Sequence, residues 1–125
     1  MKNSLEMFMI LPVNSKLVYE AWLDSQKHSE MTGSKAEIDL RIGGEFYAWD
    51  GYISGTTLEL KQNQRIVQAW RTSEFPADVL DSKIEIRLTD VKDQCHLTLI
   101  HTDIPEGQVQ MYRHKFRTSI RLGSY

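Results

Sequence analysis

Apolar and polar residues alternate with a period of two through most of this chain, and that alternation predicts strands. Ile84, Ile86 and Leu88 fall on one face of a segment whose other face carries Lys83, Glu85 and Arg87. Leu97, Leu99 and His101 share a face of the next segment, and Ile66, Gln68 and Trp70 a face of an earlier one. The pattern predicts strands over 7–11, 36–41, 45–50, 52–60, 65–71, 82–89 and 95–102. Turn chemistry separates them: Gly43-Gly44, Asp50-Gly51, Gln62-Asn63, and Asp90 to Gln94. The paired glycines allow positive φ and a sharp bend. Ser73 to Asp81, with Phe75-Pro76 inside it, reads as a loop.

The period changes to that of a helix in two places. Asn14-Ser15 caps a segment with Leu17, Val18, Ala21 and Trp22 at helical spacing. Asp24-Ser25 offers a second cap, so a second short helix is expected to reach Met31, where Thr32-Gly33-Ser34 breaks it. Pro105 ends the last strand, and Glu106-Gly107 opens a terminal helix along Met111, Tyr112, Phe116 and Ile120. The order is a strand, two short helices, about six antiparallel strands, and a helix. That order is α+β, not a parallel doubly wound sheet. With 125 residues and no linker, repeat or low-complexity tract, residues 1–125 read as a single domain.

Composition narrows the function. A net charge of −2 argues against a general nucleic-acid binder. The charge is uneven: residues 107–125 carry four Lys and Arg and no acid. The basic set Arg113, His114, Lys115, Arg117 and Arg121 reads either as a solvated helix face or as a contact for an anionic partner. Cys95 is the sole cysteine, which excludes an intrachain disulfide and favours a reducing compartment. No segment approaches the apolar length needed to span a bilayer, and Met7 to Leu11 is too short for a signal-peptide core. The expectation is a cytoplasmic protein without a membrane partner.

Few residues suggest chemistry. His101 ends a strand on the apolar face, where it either serves a ligand or base role or is satisfied by Thr102, Asp103 or backbone. Gln68, between Ile66 and Trp70, either bonds a ligand from inside or faces water in another register. The aromatic set is Trp22, Trp49, Trp70, Phe46, Tyr47, Tyr52 and Tyr112. Phe46 and Trp70 are its candidates for a pocket wall, the others for core packing. Metal spacing is absent: His28 and Glu30 are too close, and adjacent Cys95 and His96 point to opposite faces of a strand. Cys95 lacks a placed base and reads as a small buried residue. Gly43, Gly44 and Gly55 match no phosphate-loop spacing and read as bends and close approaches. No catalytic residue, metal or cofactor is assigned.

Several of these segments together carry a resemblance. Val18-Tyr-Glu-Ala-Trp22 is followed by Glu37-Ile-Asp-Leu-Arg-Ile-Gly-Gly-Glu-Phe46, then Ser54-Gly55, then Arg65-Ile-Val-Gln-Ala-Trp-Arg71. Cys95-His-Leu-Thr-Leu-Ile-His101 and Ile104-Pro105 close the set. In that order, over residues 6–106, they resemble the START-like, birch-pollen-allergen-like superfamily. Within it they resemble the family named for the C-terminal domain of the activator of heat-shock protein 90 ATPase. The resemblance implies a helix-grip fold, a curved antiparallel sheet of six to seven strands around a C-terminal helix. The end of the chain departs from the family pattern, being short, basic and without the usual tryptophan near the helix start. A shortened gripping helix would leave apolar sheet surface to be covered by a partner chain, so a homodimer is one expectation.

The resemblance implies a cavity between sheet and terminal helix for an apolar or amphipathic small molecule. Phe46, Gln68, Trp70, Ile86, Leu99, His101 and Tyr112 are the expected lining. It also implies an alternative, a module that binds the chaperone and stimulates its ATPase. A third reading, a cyclase or hydrolase as among some superfamily members, needs an acid–base pair in the cavity. Asp50, Asp103 and His101 are the only residues near enough, and none lies in a motif.

Overall fold

The computed structural model describes residues 3–23, 36–38, 41–48 and 52–119. Strand β1 (Leu5–Leu11) leads into helix α1 (Ser15–Leu23). Strands β2 (Ala36–Ile38), β3 (Glu45–Ala48), β4 (Ile53–Lys61), β5 (Arg65–Thr72), β6 (Ser82–Val91) and β7 (Gln94–Thr102) follow, then helix α2 (Val109–Ser119). All seven strands form one antiparallel sheet in the order β1-β7-β6-β5-β4-β3-β2. The sheet is a chain of hairpins whose first strand closes onto the last. This is the expected α+β helix-grip architecture, with a curved sheet. Trp49, the Asp50-Gly51 turn, the second short helix to Met31, His28, Glu30 and Ile120 lie outside the described residues. So do the side chains of Lys115, Phe116 and Arg117.

The strand expectations hold to within about two residues at most ends. One turn differs. Asp90 and Val91 belong to β6, and the β6–β7 reversal is Lys92-Asp93, with Lys92 at φ 58°. Asn63 makes the β4–β5 turn at φ 59°, and Gly43 takes φ 85° before β3.

Helix α1 begins where Asn14 Oδ1 accepts the Leu17 N–H at 2.9 Å, the expected cap. A second cap comes from across the fold. Asp90 accepts both the Ser15 N–H at 2.7 Å and the Ser15 hydroxyl at 2.9 Å. A carboxylate at a helix N-terminus meets the positive end of the peptide dipoles. Asp90 thereby ties α1 to the β6–β7 hairpin, and α1 buries Val18, Ala21, Trp22 and Leu23.

Strand pairing stacks the inward side chains in rows. The outermost is Ile53 opposite Thr72. Next comes Phe46, Gly55, Trp70 and Ser82, then Thr57, Gln68, Ile84, His101 and Leu5. Below it lie Leu60, Ile66, Ile86, Leu99 and Met7. The inward face is thus mixed near one end of the strands and wholly apolar further in. Gly55 makes the second row possible. A Cβ there would sit 2.0 Å from the Ala69 carbonyl oxygen and 2.6 Å from the Phe46 ring, so the ring of Phe46 lies over the glycine. Gly55 is therefore the close approach its sequence context suggests.

Candidate functional site

All seven expected lining residues are buried on the inward side: Phe46, Gln68, Trp70, Ile86, Leu99, His101 and Tyr112. Phe46, Trp70, Ile86, Leu99 and Tyr112 belong to one apolar core, at different levels within it. Trp70, His101 and Tyr112 meet near the mixed end, joined by Phe75. Gln68 belongs to a separate polar chain, and Ile86 and Leu99 sit one row further in.

The aromatic cluster is edge-to-face. The Trp70 ring stands 4.8 Å from His101 at 83° and 5.1 Å from Tyr112 at 88°. Phe75 lies 6.1 Å from Trp70 and 5.9 Å from Tyr112. Four parts of the chain converge: β5 supplies Trp70, β7 supplies His101, α2 supplies Tyr112 and the β5–β6 loop supplies Phe75. Phe75 is the one deeply buried side chain of residues 73–81. Sequence reasoning missed Phe75, and its being the sole aromatic residue of that loop was the available signal.

His101 is not held by Thr102 or Asp103. Its Nε2 lies 2.6 Å from Ser82 Oγ, which itself donates to the Trp70 carbonyl at 2.7 Å. Ser82 has one proton, and that proton goes to the carbonyl. Nε2 therefore carries hydrogen and donates to Ser82. Desolvation pushes the His101 pKa down to about 3, so the ring is neutral at ordinary pH. A serine nucleophile needs the reverse polarity, its proton passing to an unprotonated imidazole nitrogen. The pair as arranged is a structural hydrogen bond. Ser82 was legible in principle, since it shares parity with Ile84, Ile86 and Leu88.

Gln68 does face inward. Its Oε1 accepts from Trp22 Nε1 at 3.2 Å and its Nε2 donates to Thr57 Oγ1 at 3.2 Å. The amide links α1 to β4 and satisfies polar groups that burial would otherwise penalise.

At the rim, four residues close a ring of hydrogen bonds. The Glu74 N–H donates to Thr72 Oγ1 at 3.2 Å, and Thr72 and Tyr112 hydroxyls meet at 2.7 Å. Tyr112 donates to Gln108 Oε1 at 2.6 Å, and Gln108 Nε2 donates back to the Glu74 carbonyl at 3.0 Å. Because the Tyr112 proton is committed to Gln108, Thr72 is the donor in the shared contact. The ring clasps the start of α2 to β5 and to the loop. Tyr52 adds a hydrogen bond to the Glu74 carboxylate, and burial pushes its phenol pKa up.

Cys95 is buried, with Ser15 donating to its Sγ at 3.6 Å, and burial raises its pKa. That agrees with a packing role. His96 and Cys95 lie on opposite faces, as expected. Among the described residues no group of His, Cys, Asp and Glu is placed to hold a metal, and no helix is long and apolar enough to cross a membrane.

Known proteins place this architecture. A mouse protein described as activator of 90 kDa heat shock protein ATPase homolog 2 is 26% identical over 88 residues, 70% of this chain and 26% of its own. An uncharacterised protein of Schizosaccharomyces pombe is 26% identical over 94 residues, 75% of this chain and 28% of its own. The chain thus spans about a quarter of the length of these relatives. Among solved structures, an HSP90 activator from Plasmodium falciparum superposes with a TM-score of 0.86 at 24% identity, covering 94% of this chain and 89% of that one. The Aha1 dimer from Colwellia psychrerythraea superposes at 0.73 with 12% identity, covering 91% and 86%. At these identities the structures establish the fold. The family model described as Activator of Hsp90 ATPase homolog 1-like protein matches residues 12–121. The chain belongs to that family.

Proposed function

We propose that this chain is a binding module for an apolar or amphipathic small molecule, taken up between the inward sheet face and helix α2. The observation carrying this reading is the gradient along the strands. Wholly apolar Ile86 and Leu99 lie beneath an aromatic cluster, and a polar rim of Thr72, Gln108 and Tyr112 surrounds its outer end. Ligand sites are generally built this way, apolar walls with a few placed polar groups. The Ser82–His101 contact, arranged as a structural hydrogen bond, supplies no activated serine, and this favours binding over hydrolysis. A thermal-shift screen against apolar and amphipathic compounds tests it, since binding to the native state raises stability by mass action. Stabilising compounds are expected, with shifts diminished in Trp70→Ala and Leu99→Ala. Identical shifts in wild type and both variants would reject the interior as the site.

A second reading is favoured by the names of the mouse relative and the Plasmodium structure. In it the module binds the 90 kDa heat-shock chaperone and stimulates its ATPase. Adding the purified chain to the chaperone and measuring ATP turnover decides it, a rate increase supporting it and an unchanged rate rejecting it. The Colwellia dimer similarly supports a homodimer for this chain, and the single buried thiol of Cys95 supports a cytoplasmic setting.

A further inference from the structure

The segment between β5 and β6, residues 73–81, is attached unlike the rest of the fold. Its Phe75 is buried, Val79 is half-buried and the other side chains are exposed, with Leu80 at 87%. Its ties are polar and near the surface. Arg71 donates to the carbonyls of Val79 and Pro76 at 3.1 and 3.2 Å and pairs with Asp81 at 2.8 Å. Gln108 and Tyr52 hold the backbone and side chain of Glu74. Such bonds exchange readily for bonds to water, so a segment held by them opens at lower cost than the ladder beneath. The two ends are fixed, because Trp70 and Ser82 are paired in the sheet.

The one apolar anchor occupies a telling position. The Phe75 ring sits against Trp70 and Tyr112, and the Arg71 guanidinium lies 5.4 Å above its centroid. Lifting the segment would vacate a slot with two aromatic walls, a cation over its face and the Thr72–Tyr112–Gln108 hydroxyl and amide groups at its edge. That slot is shaped for one flat ring.

We infer that residues 73–81 form a strap whose Phe75 is a resident plug, and that a ligand bearing a single flat aromatic ring enters by displacing it. The ring of the ligand takes over the contacts to Trp70, Tyr112 and Arg71, while the strap swings out between its fixed ends. This rests on the small-molecule reading and adds to it a ligand class and an entry route. An apparent affinity is reduced by the fraction of molecules in the competent state, so removing the plug strengthens binding without any new contact.

The test is an NMR titration of the full chain with benzyl alcohol, and with cyclohexylmethanol as the non-aromatic comparison. Wild type, Phe75→Ala and Phe75→Leu are compared. With the unplugged state populated at about 1–10%, benzyl alcohol is expected to bind Phe75→Ala about 10- to 100-fold more tightly than wild type. Its shifts fall on Trp70 and Tyr112, and in wild type the Phe75 signals move as well. Cyclohexylmethanol shows a smaller gain. Phe75→Leu removes the ring but keeps an apolar anchor, and it carries the comparison alone if Phe75→Ala does not fold, any tightening below about threefold counting against the plug. Equal affinities in wild type and variant, with shifts at Ile86 and Leu99 and none at Phe75, would overturn the plug and leave interior binding standing. Absence of binding to every folded variant would overturn both.

Discussion

Acidification should destabilise this protein through His101. Its pKa is about 3 in the fold, because burial disfavours the charged ring. In the unfolded chain an unperturbed histidine titrates near 6.5. Between those values the unfolded state binds a proton that the native state does not, so stability rises with pH across the window. The contribution is fully present above pH 6.5 and is lost as pH falls toward 3. Integrating between pH 7 and 4.5 gives a loss of about 2.5 kcal/mol from this residue. Glu85 acts in the same direction, because its hydrogen bond from Arg65 holds its pKa below the carboxylate value of 4.5, and its loss begins only as pH nears that value. The difference between wild type and a variant without the imidazole, followed from about pH 7 to 4.5, isolates the histidine. Urea unfolding at half-unit steps of pH, for wild type and His101→Phe, measures it. In the variant Ser82 keeps its bond to the Trp70 carbonyl, so the fold retains its main tie at that point. Its stability differs from wild type by an offset at pH 7 and falls less steeply, the difference shifting by about 2.5 kcal/mol in the variant's favour by pH 4.5. Parallel curves would refute the reasoning and show that the imidazole is not held neutral by burial.

Three further outcomes follow from the packing. Gly55→Ala places a methyl group against the Ala69 carbonyl and the Phe46 ring, and is expected to cost about 1–3 kcal/mol or more in chemical denaturation. Asp90→Ala removes the acceptor of both Ser15 bonds, costing about 1–2 kcal/mol, while Asp90→Asn retains part of the cap; both are read by thermal melts. Tyr112→Phe breaks the ring of bonds at the rim without disturbing the aromatic contacts. It should cost about 1 kcal/mol and speed amide exchange in 73–81 and at the start of α2 more than in β6 and β7.

The strands were legible because their alternation is nearly unbroken. The parity of Ile84, Ile86 and Leu88, or of Leu97, Leu99 and His101, fixes which side is buried before any coordinates exist. The cap at Asn14 was legible for a similar reason, being set by residues adjacent in sequence. What escaped are the ties that cross the fold. Asp90 looked like turn chemistry, whereas it extends β6 and caps a helix 75 positions away. Gln68 stood ambiguous between ligand and solvent, and its core role escaped because its partners Trp22 and Thr57 come from other elements. The sequence neighbours of His101, Thr102 and Asp103, are not its partners. Its partner is Ser82, across the sheet, and strand register alone determines that pairing. Phe75 was missed because a loop has no periodicity to reveal which residue turns inward.

The ligand site proposed for this protein is the inward face of the sheet against α2. Intermolecular NOEs between a stabilising compound and the methyl groups of Ile86 and Leu99, together with the rings of Trp70 and Tyr112, test it most directly. The account predicts contacts to those four residues. Contacts confined to the outward side chains of the same strand, Thr98 and Ile100, would contradict it.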